Sequence, residues 1–212
     1  MGFEIAETRN GAPADGVRRV SCIDKSNVTR GCQLFRSTFD EVASDYPATE
    51  ADYGYIDAFM QWITRSPEHY DTVVTSNMFG DISTDLGAVL QGGMGMAASG
   101  NIGDEHAFFE PVHGSAPKHA GKNKVNPIAS INSIQMMMDY LGRKTNDDDL
   151  IAVGHLIDES VADHLKHGKM LTYDIGGTAS CSDVGISIAE RLATKLKAVS
   201  YTHLTLPTTP VV

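Results

Sequence analysis

Between residues 17 and 90, short apolar or β-branched runs alternate with stretches of helical periodicity, and this alternation limits the fold more than anything else in the chain. Residues 17–23 (VRRVSCI) predict a strand, and residues 34–44 a helix after it. Residues 55–64 place Ile56, Phe59, Met60 and Ile63 at helical spacing, and Pro67 discourages continuation. Residues 71–75 (DTVVT) are a compact β-branched run suited to a buried strand. In residues 79–90, carboxylates sit between Ile82, Leu86, Val89 and Leu90, the pattern of an amphipathic helix. Strand followed by helix, repeated, begins an α/β pattern.

Residues 91–103 then carry five glycines, a density that marks turns and close backbone approach. Residues 108–127 read as loop, and residues 127–141 as a helix packed through Ile131, Ile134, Met137, Met138 and Leu141. The acids of residues 146–149 complement the dipole of a helix over 150–167. A Gly176-Gly177 turn precedes a last helix over 182–196, capped by Ser180 or Ser182. Residues 200–212 (SYTHLTLPTTPVV) lose all periodicity and read as an appended, non-native tail outside the fold.

A chain of 212 residues corresponds to about 1.4 domains of ordinary size. Seventeen Lys and Arg against 27 Asp and Glu leave a net charge of −10, so no surface-wide attraction of the kind that drives phosphate-backbone binding is expected, and no nucleic-acid partner. No apolar run has membrane-spanning length, so no membrane partner is expected. Three cysteines without C-x-x-C spacing fit a reducing, cytoplasmic setting.

The strongest chemical constellation is SNMFGDISTD, residues 76–85. Asp81 and Asp85 lie four apart, on one helix face, where like charges repel by a few tenths of a kcal/mol. Spacing alone is met by a solvated acidic face, but a hard cation such as Mg²⁺ or Mn²⁺ between the carboxylates would remove the repulsion.

Together with GNIGDEHAFFEPVHGSAPKHAGKNKVNP and the earlier IDKSNV, this run resembles the β-decarboxylating dehydrogenases, the isocitrate/3-isopropylmalate dehydrogenase family. The resemblance covers residues 21–192 and implies an α/β, two-domain fold, incomplete at its N-terminus. Residues 1–91 would be part of the small dimer-forming domain, and residues 92–199 part of the large nucleotide-contacting one. It further implies metal-dependent, NAD(P)-linked oxidative decarboxylation of a small 2-hydroxy di- or tricarboxylate. By motif, Asp57, Asp81 and Asp85 resemble the metal ligands, Asp57 reaching across from the other subunit of a homodimer. Lys25 resembles the lysine that takes the hydroxyl proton, also across the dimer, so Lys25, Asp57 and Asp81 form the expected catalytic set.

Asn27 is expected near nicotinamide or substrate, and Glu110 on the nicotinamide side. His113, Gly114, Ser115 and Ala116 resemble the adenosine-binding loop, with Asn126 near the adenine. His113 read alone could equally be structural. Lys118 and His119 stand where NAD users of the family carry an acid and an aliphatic residue, and Tyr173 supplies the tyrosine of the T-Y-D that resembles NADP users; this favours NADP, a lysine and a phenol suiting a phosphate dianion. Only 24 residues precede Lys25, so the arginines, substrate loop and tyrosine that relatives carry upstream are missing, and the chain is expected to be inactive alone. Ala98 and Gly100 stand where relatives often have Pro and Ala, predicting a less rigid loop there. The competing expectation is a non-catalytic, regulatory-like subunit or nucleotide-binding fragment.

Overall fold

The structure, a computed structural model, describes residues 1–204, with side chains to residue 198. It separates into two compact units, Met1–Leu90 and Gln91–Val212.

The first unit is built on a parallel three-stranded sheet in the order β2-β1-β3, from β1 (Arg19–Asp24), β2 (Glu50–Tyr55) and β3 (Thr72–Thr75). The central strand β1 is buried along its whole length, which is why it reads as a run without alternation. Val20 and Cys22 pack with Phe3 and Ala6 of α1 (Gly2–Thr8) and Phe39 of α2 (Arg30–Ala43). On the other side of the strand Arg19 is buried, and it donates to Asp15, Glu50 and the His69 carbonyl. α3 (Ile56–Arg65) and α4 (Asn77–Leu90) complete the unit, each starting one or two residues after a strand ends.

The strand expected over 17–23 and the helix over 55–64 are present within two residues. Two elements depart from expectation. α1 is too short to show periodicity, yet it buries Phe3 and Ala6. β2 (EADYGY) is an edge strand whose Glu50 and Asp52 lie where water or Arg19 and Ser21 can meet them, so its composition reads as non-strand.

In the second unit, β4 (Ala98–Ile102) and β5 (Ala107–Pro111) form an antiparallel pair. This corrects the expected loop around Ala98 and Gly100: these residues are in a strand, and a Cβ at Gly100 would stand 3.0 Å from the Phe109 ring. Glycine is there to let Phe109 close over the neighbouring strand.

Three helices, α5 (Ile128–Thr145), α6 (Asp148–His167) and α7 (Cys181–Leu204), surround a core of Met96, Ile128, Val161, Val184 and Ile188. Asp147 caps α6 by accepting from the Asp149 and Leu150 amides. Ser180 caps α7 in a reciprocal box with Asp183. α7 continues to Leu204, past the expected end at 196 and into the segment set aside as a tail; the rest of that segment lies outside the described residues. No helix among the described residues is long and apolar enough to cross a membrane.

Candidate functional site

In the first unit, Lys25 leaves the end of β1 in a turn whose Val28 and Thr29 amides both donate to its carbonyl. The residue before it, Asp24, is 1% exposed and grips Arg36 of α2 through two hydrogen bonds, 2.8 and 2.9 Å, while accepting from the Ser26 amide. Burial pushes the Asp24 carboxyl up, but the bonds from Arg36 and Ser26 outweigh it and hold the group below the usual carboxylate range. Arg36 in turn lies against the rings of Tyr53 and Tyr55, 5.1 and 5.5 Å to their centroids. The turn carrying Lys25 is therefore bolted to α2 and β2.

From that turn Lys25 Nζ reaches Asp57, in the first turn of α3, at 2.5 Å. The ammonium hydrogen bond, with help from the Asp57 and Ala58 amides, keeps the Asp57 carboxyl below its ordinary value. Asp57 itself is 68% exposed. Asn27 is exposed in the turn just beyond Lys25.

Asp81 and Asp85 are one turn apart on α4, both exposed, on the side away from buried Ser83. Among the described residues, no cation or hydrogen-bond donor pairs with either carboxylate, and no group of three His, Cys, Asp or Glu could hold a metal. The structure thus brings Lys25 to Asp57 and leaves Asp81 and Asp85 as a separate pair. Two unpaired hard oxygen donors on one face fit a divalent cation in kind, and a third ligand has to come from elsewhere.

The second unit holds the remaining residues. Glu110 is exposed on β5, and His113, half-buried, bonds through Nδ1 to the Gly114 carbonyl oxygen. Gly114 and Ser115 are open to solvent, and Ala116 has φ 43°, the left-handed region, immediately before Pro117. For a residue with a side chain that conformation costs roughly 1 kcal/mol, stored in the very loop that the resemblance marks for adenosine.

Pro117–His119 then forms a 3-10 turn that sets the His119 ring against Tyr173, 5.9 Å between centroids and 30° between planes. The buried Nδ1 of His119 has no partner within the described residues. Lys118 is exposed and without an ion pair among them. Asn126 is only 6% exposed: its amide donates to Asp174 at 3.1 Å and its oxygen accepts from the Ile128 amide. That side chain is largely spent on tying the loop to α5 and to the turn that carries Tyr173. An orphaned ring nitrogen, an unpaired lysine and a strained, open loop fit an anionic nucleotide.

Sequence reasoning missed three contributors. Asp24 and Arg36 carry a signal only as an acid ending a buried strand and a base on the following helix. Lys124, whose Nζ stands 4.2 Å from the Tyr173 ring centroid, has a weak one: from Pro111 to Met138 there are three lysines and no Asp or Glu.

Comparison with known proteins gives a consistent result. The profile of the family described as isocitrate/isopropylmalate dehydrogenase matches residues 1–188. A homoisocitrate dehydrogenase of Methanocaldococcus jannaschii is 45% identical over 181 residues, covering 85% of this chain and 50% of that protein. An NADP isocitrate dehydrogenase of Thermus thermophilus is 41% identical over 178 residues, 84% of this chain and 33% of its own. The apo crystal structure of a β-decarboxylating dehydrogenase from Thermococcus kodakarensis superposes with TM-score 0.79 at 37% identity, covering 92% of this chain and 54% of that one. The chain thus spans half or less of the length of these two curated relatives.

Proposed function

Because the chain belongs to the isocitrate/isopropylmalate dehydrogenase family, we propose that it carries the metal-binding and nucleotide-binding portion of an NADP-linked oxidative decarboxylase of a 2-hydroxy di- or tricarboxylate. The observation that carries the reading is the Lys25–Asp57 pair, together with a separate, unpaired Asp81–Asp85 couple on α4. Asp81 and Asp85 of one protomer and Asp57 of its mate would hold Mg²⁺ or Mn²⁺. When bound, the cation would supply Lewis acidity to a 2-hydroxy acid substrate, and NADP⁺ would supply the hydride acceptor.

The remaining duties belong to the chain. Lys25, held in place by Asp57 and by the Asp24–Arg36 bolt, takes the hydroxyl proton as the alcohol becomes a ketone. The bond to the β-carboxylate then breaks to release CO₂, its electron pair passing into the 2-oxo carbonyl as an enolate that takes up a proton to give the product 2-oxo acid. Asn27 and Glu110 orient the nicotinamide end. His113, Gly114, Ser115, Ala116, His119 and Asn126 shape the adenosine loop, and Lys118 and Tyr173 meet the 2′-phosphate. Of the two relatives above, one is named for NADP, which supports that choice.

A homodimer follows from needing two chains to complete three carboxylates. It is supported by α4, which exposes Met78, Ile82 and Val89 along one stripe beside the acid pair. Residues 1–91 would then belong to the dimer-forming domain and residues 92–199 to the nucleotide-contacting one.

This chain alone, at a net charge of −10, disfavours a di- or tricarboxylate substrate. It should therefore show no NADP reduction with isocitrate, 3-isopropylmalate or tartrate plus Mn²⁺, while Mn²⁺ and NADP each raise its melting temperature as RT ln(1 + [L]/Kd). Clear turnover would refute the inactivity. Absence of both thermal shifts would refute the site, and a shift with nucleotide alone would favour a non-catalytic nucleotide-binding relative.

A further inference from the structure

The cationic group that best fits a nucleotide's extra charge was not among the residues expected from the motif. In a chain of net charge −10, the stretch from Pro111 to Met138 holds Lys118, Lys122 and Lys124 and no carboxylate. None of these lysines is ion-paired among the described residues. Lys124 differs from an ordinary surface lysine in two respects. Its ammonium stands over the Tyr173 ring, 4.2 Å from the centroid, and Tyr173 is also the ring that His119 stacks on. In addition, the backbone is pinned on both sides of it. Asn123 exchanges side-chain hydrogen bonds with Ser182 at 2.7 and 3.0 Å and accepts the Cys181 amide on its carbonyl, while Asn126 bonds to Asp174 and to the Ile128 amide. A charge so held loses less freedom on meeting an anion than a free side chain would.

We propose that Lys124 is a specificity-determining residue: it selects nucleotides bearing a phosphate on the adenosine 2′ oxygen over those that lack it. The inference rests on the nucleotide reading above and adds to it a residue to which the resemblance assigned no role. His119 and the Tyr173 ring offer aromatic surface for the neutral part of the ligand, and the Tyr173 phenol is left for the phosphate. Lys124 offers a fixed point charge beside that surface, and only the 2′-phosphorylated nucleotide has a dianion in addition to the 5′-phosphate with which to use it.

The test is calorimetric titration of the whole chain with adenosine 2′,5′-bisphosphate and with AMP, for wild type, Lys124→Met and Lys124→Arg. Methionine keeps an apolar stem against Tyr173 and removes the charge, and thermal unfolding checks that each variant is folded. Lys124→Met should weaken the bisphosphate by about tenfold, the worth of one hydrogen bond to a charged group, and leave AMP unchanged. Arginine should restore the preference. If Lys124→Met binds both ligands as wild type does, or weakens both equally, the inference is overturned. Equal wild-type affinity for the two nucleotides overturns it as well but leaves a site for unphosphorylated nucleotide standing. Failure of wild type to bind either ligand removes the nucleotide reading together with the inference.

Discussion

Replacing Arg36 with leucine should destabilise the first unit by about 3 kcal/mol, the usual result of stranding one member of a buried ion pair. Asp24 is 1% exposed, and Arg36 supplies two of its three hydrogen bonds, leaving only the Ser26 amide after the substitution. The guanidinium is partly exposed, so the value is taken at the low end of the range. Against a total stability of roughly 5–15 kcal/mol this is a large fraction.

The pH dependence sharpens the test. In the wild type the Asp24 carboxyl sits below its free value, so the pair stabilises the fold above that value and the contribution is lost as pH falls through the lower, folded one. Without Arg36, burial dominates and the carboxyl moves up, so the folded variant takes up a proton and its deficit shrinks on mild acidification. Urea unfolding followed by Trp62, the chain's single tryptophan and part of α3, reads this unit. Arg36→Lys, which keeps the charge but not the fork, should lie between the two. A leucine variant within about 0.5 kcal/mol of wild type, or a deficit that does not change with pH, would refute the reasoning.

Three further outcomes are expected. His164 is 2% exposed between α6 and α7, its Nδ1 against Ser187 Oγ at 3.0 Å, and burial lowers its pKa. The stability this neutral ring supports is complete above the free histidine value and declines as pH falls below it, so the melting temperature should drop as pH falls below about 6.5, and less in His164→Gln. Cys22 is fully buried with its thiol pushed up to about 12, so a native-state thiol titration should modify Cys32 and Cys181 but reach Cys22 only on unfolding. Gly177→Ala would drive a Cβ to 1.9 Å from the Leu171 carbonyl oxygen, displacing the turn beside Tyr173, at a cost of about 2 kcal/mol or more. By contrast, Gly114→Ala meets open space and should leave the melting temperature unchanged.

How far the residues foretold the fold depended on how each element is buried. α3 and α4 were legible because their apolar residues recur with the helical period, and β1 and β3 because their short apolar or β-branched runs suit buried strands. β2 was not: Glu50 and Asp52 belong there because Arg19 and Ser21 receive them from the neighbouring strand, a fact that only pairing reveals. The β4–β5 pair hid behind glycines that serve close packing at Gly100 as well as turns. At the site, the motifs identified Lys25 and Asp57 but not that they meet directly, nor that Asp24 and Arg36 anchor their turn. Lys124 escaped because a lysine gains meaning only when its backbone is held and a ring lies beneath it.

The shared carboxylate cage is tested most directly by complementation between two damaged chains. Asp57→Asn alone and the Asp81→Asn/Asp85→Asn double variant alone should each fail to gain stability from Mn²⁺. After mixing and subunit exchange, hybrids pair an intact Asp57 with an intact Asp81 and Asp85 at one of their two sites, so roughly a quarter of the wild-type Mn²⁺ sites should return. A wild-type Mn²⁺ response that survives Asp57→Asn, or a mixture that recovers no sites, would contradict the account.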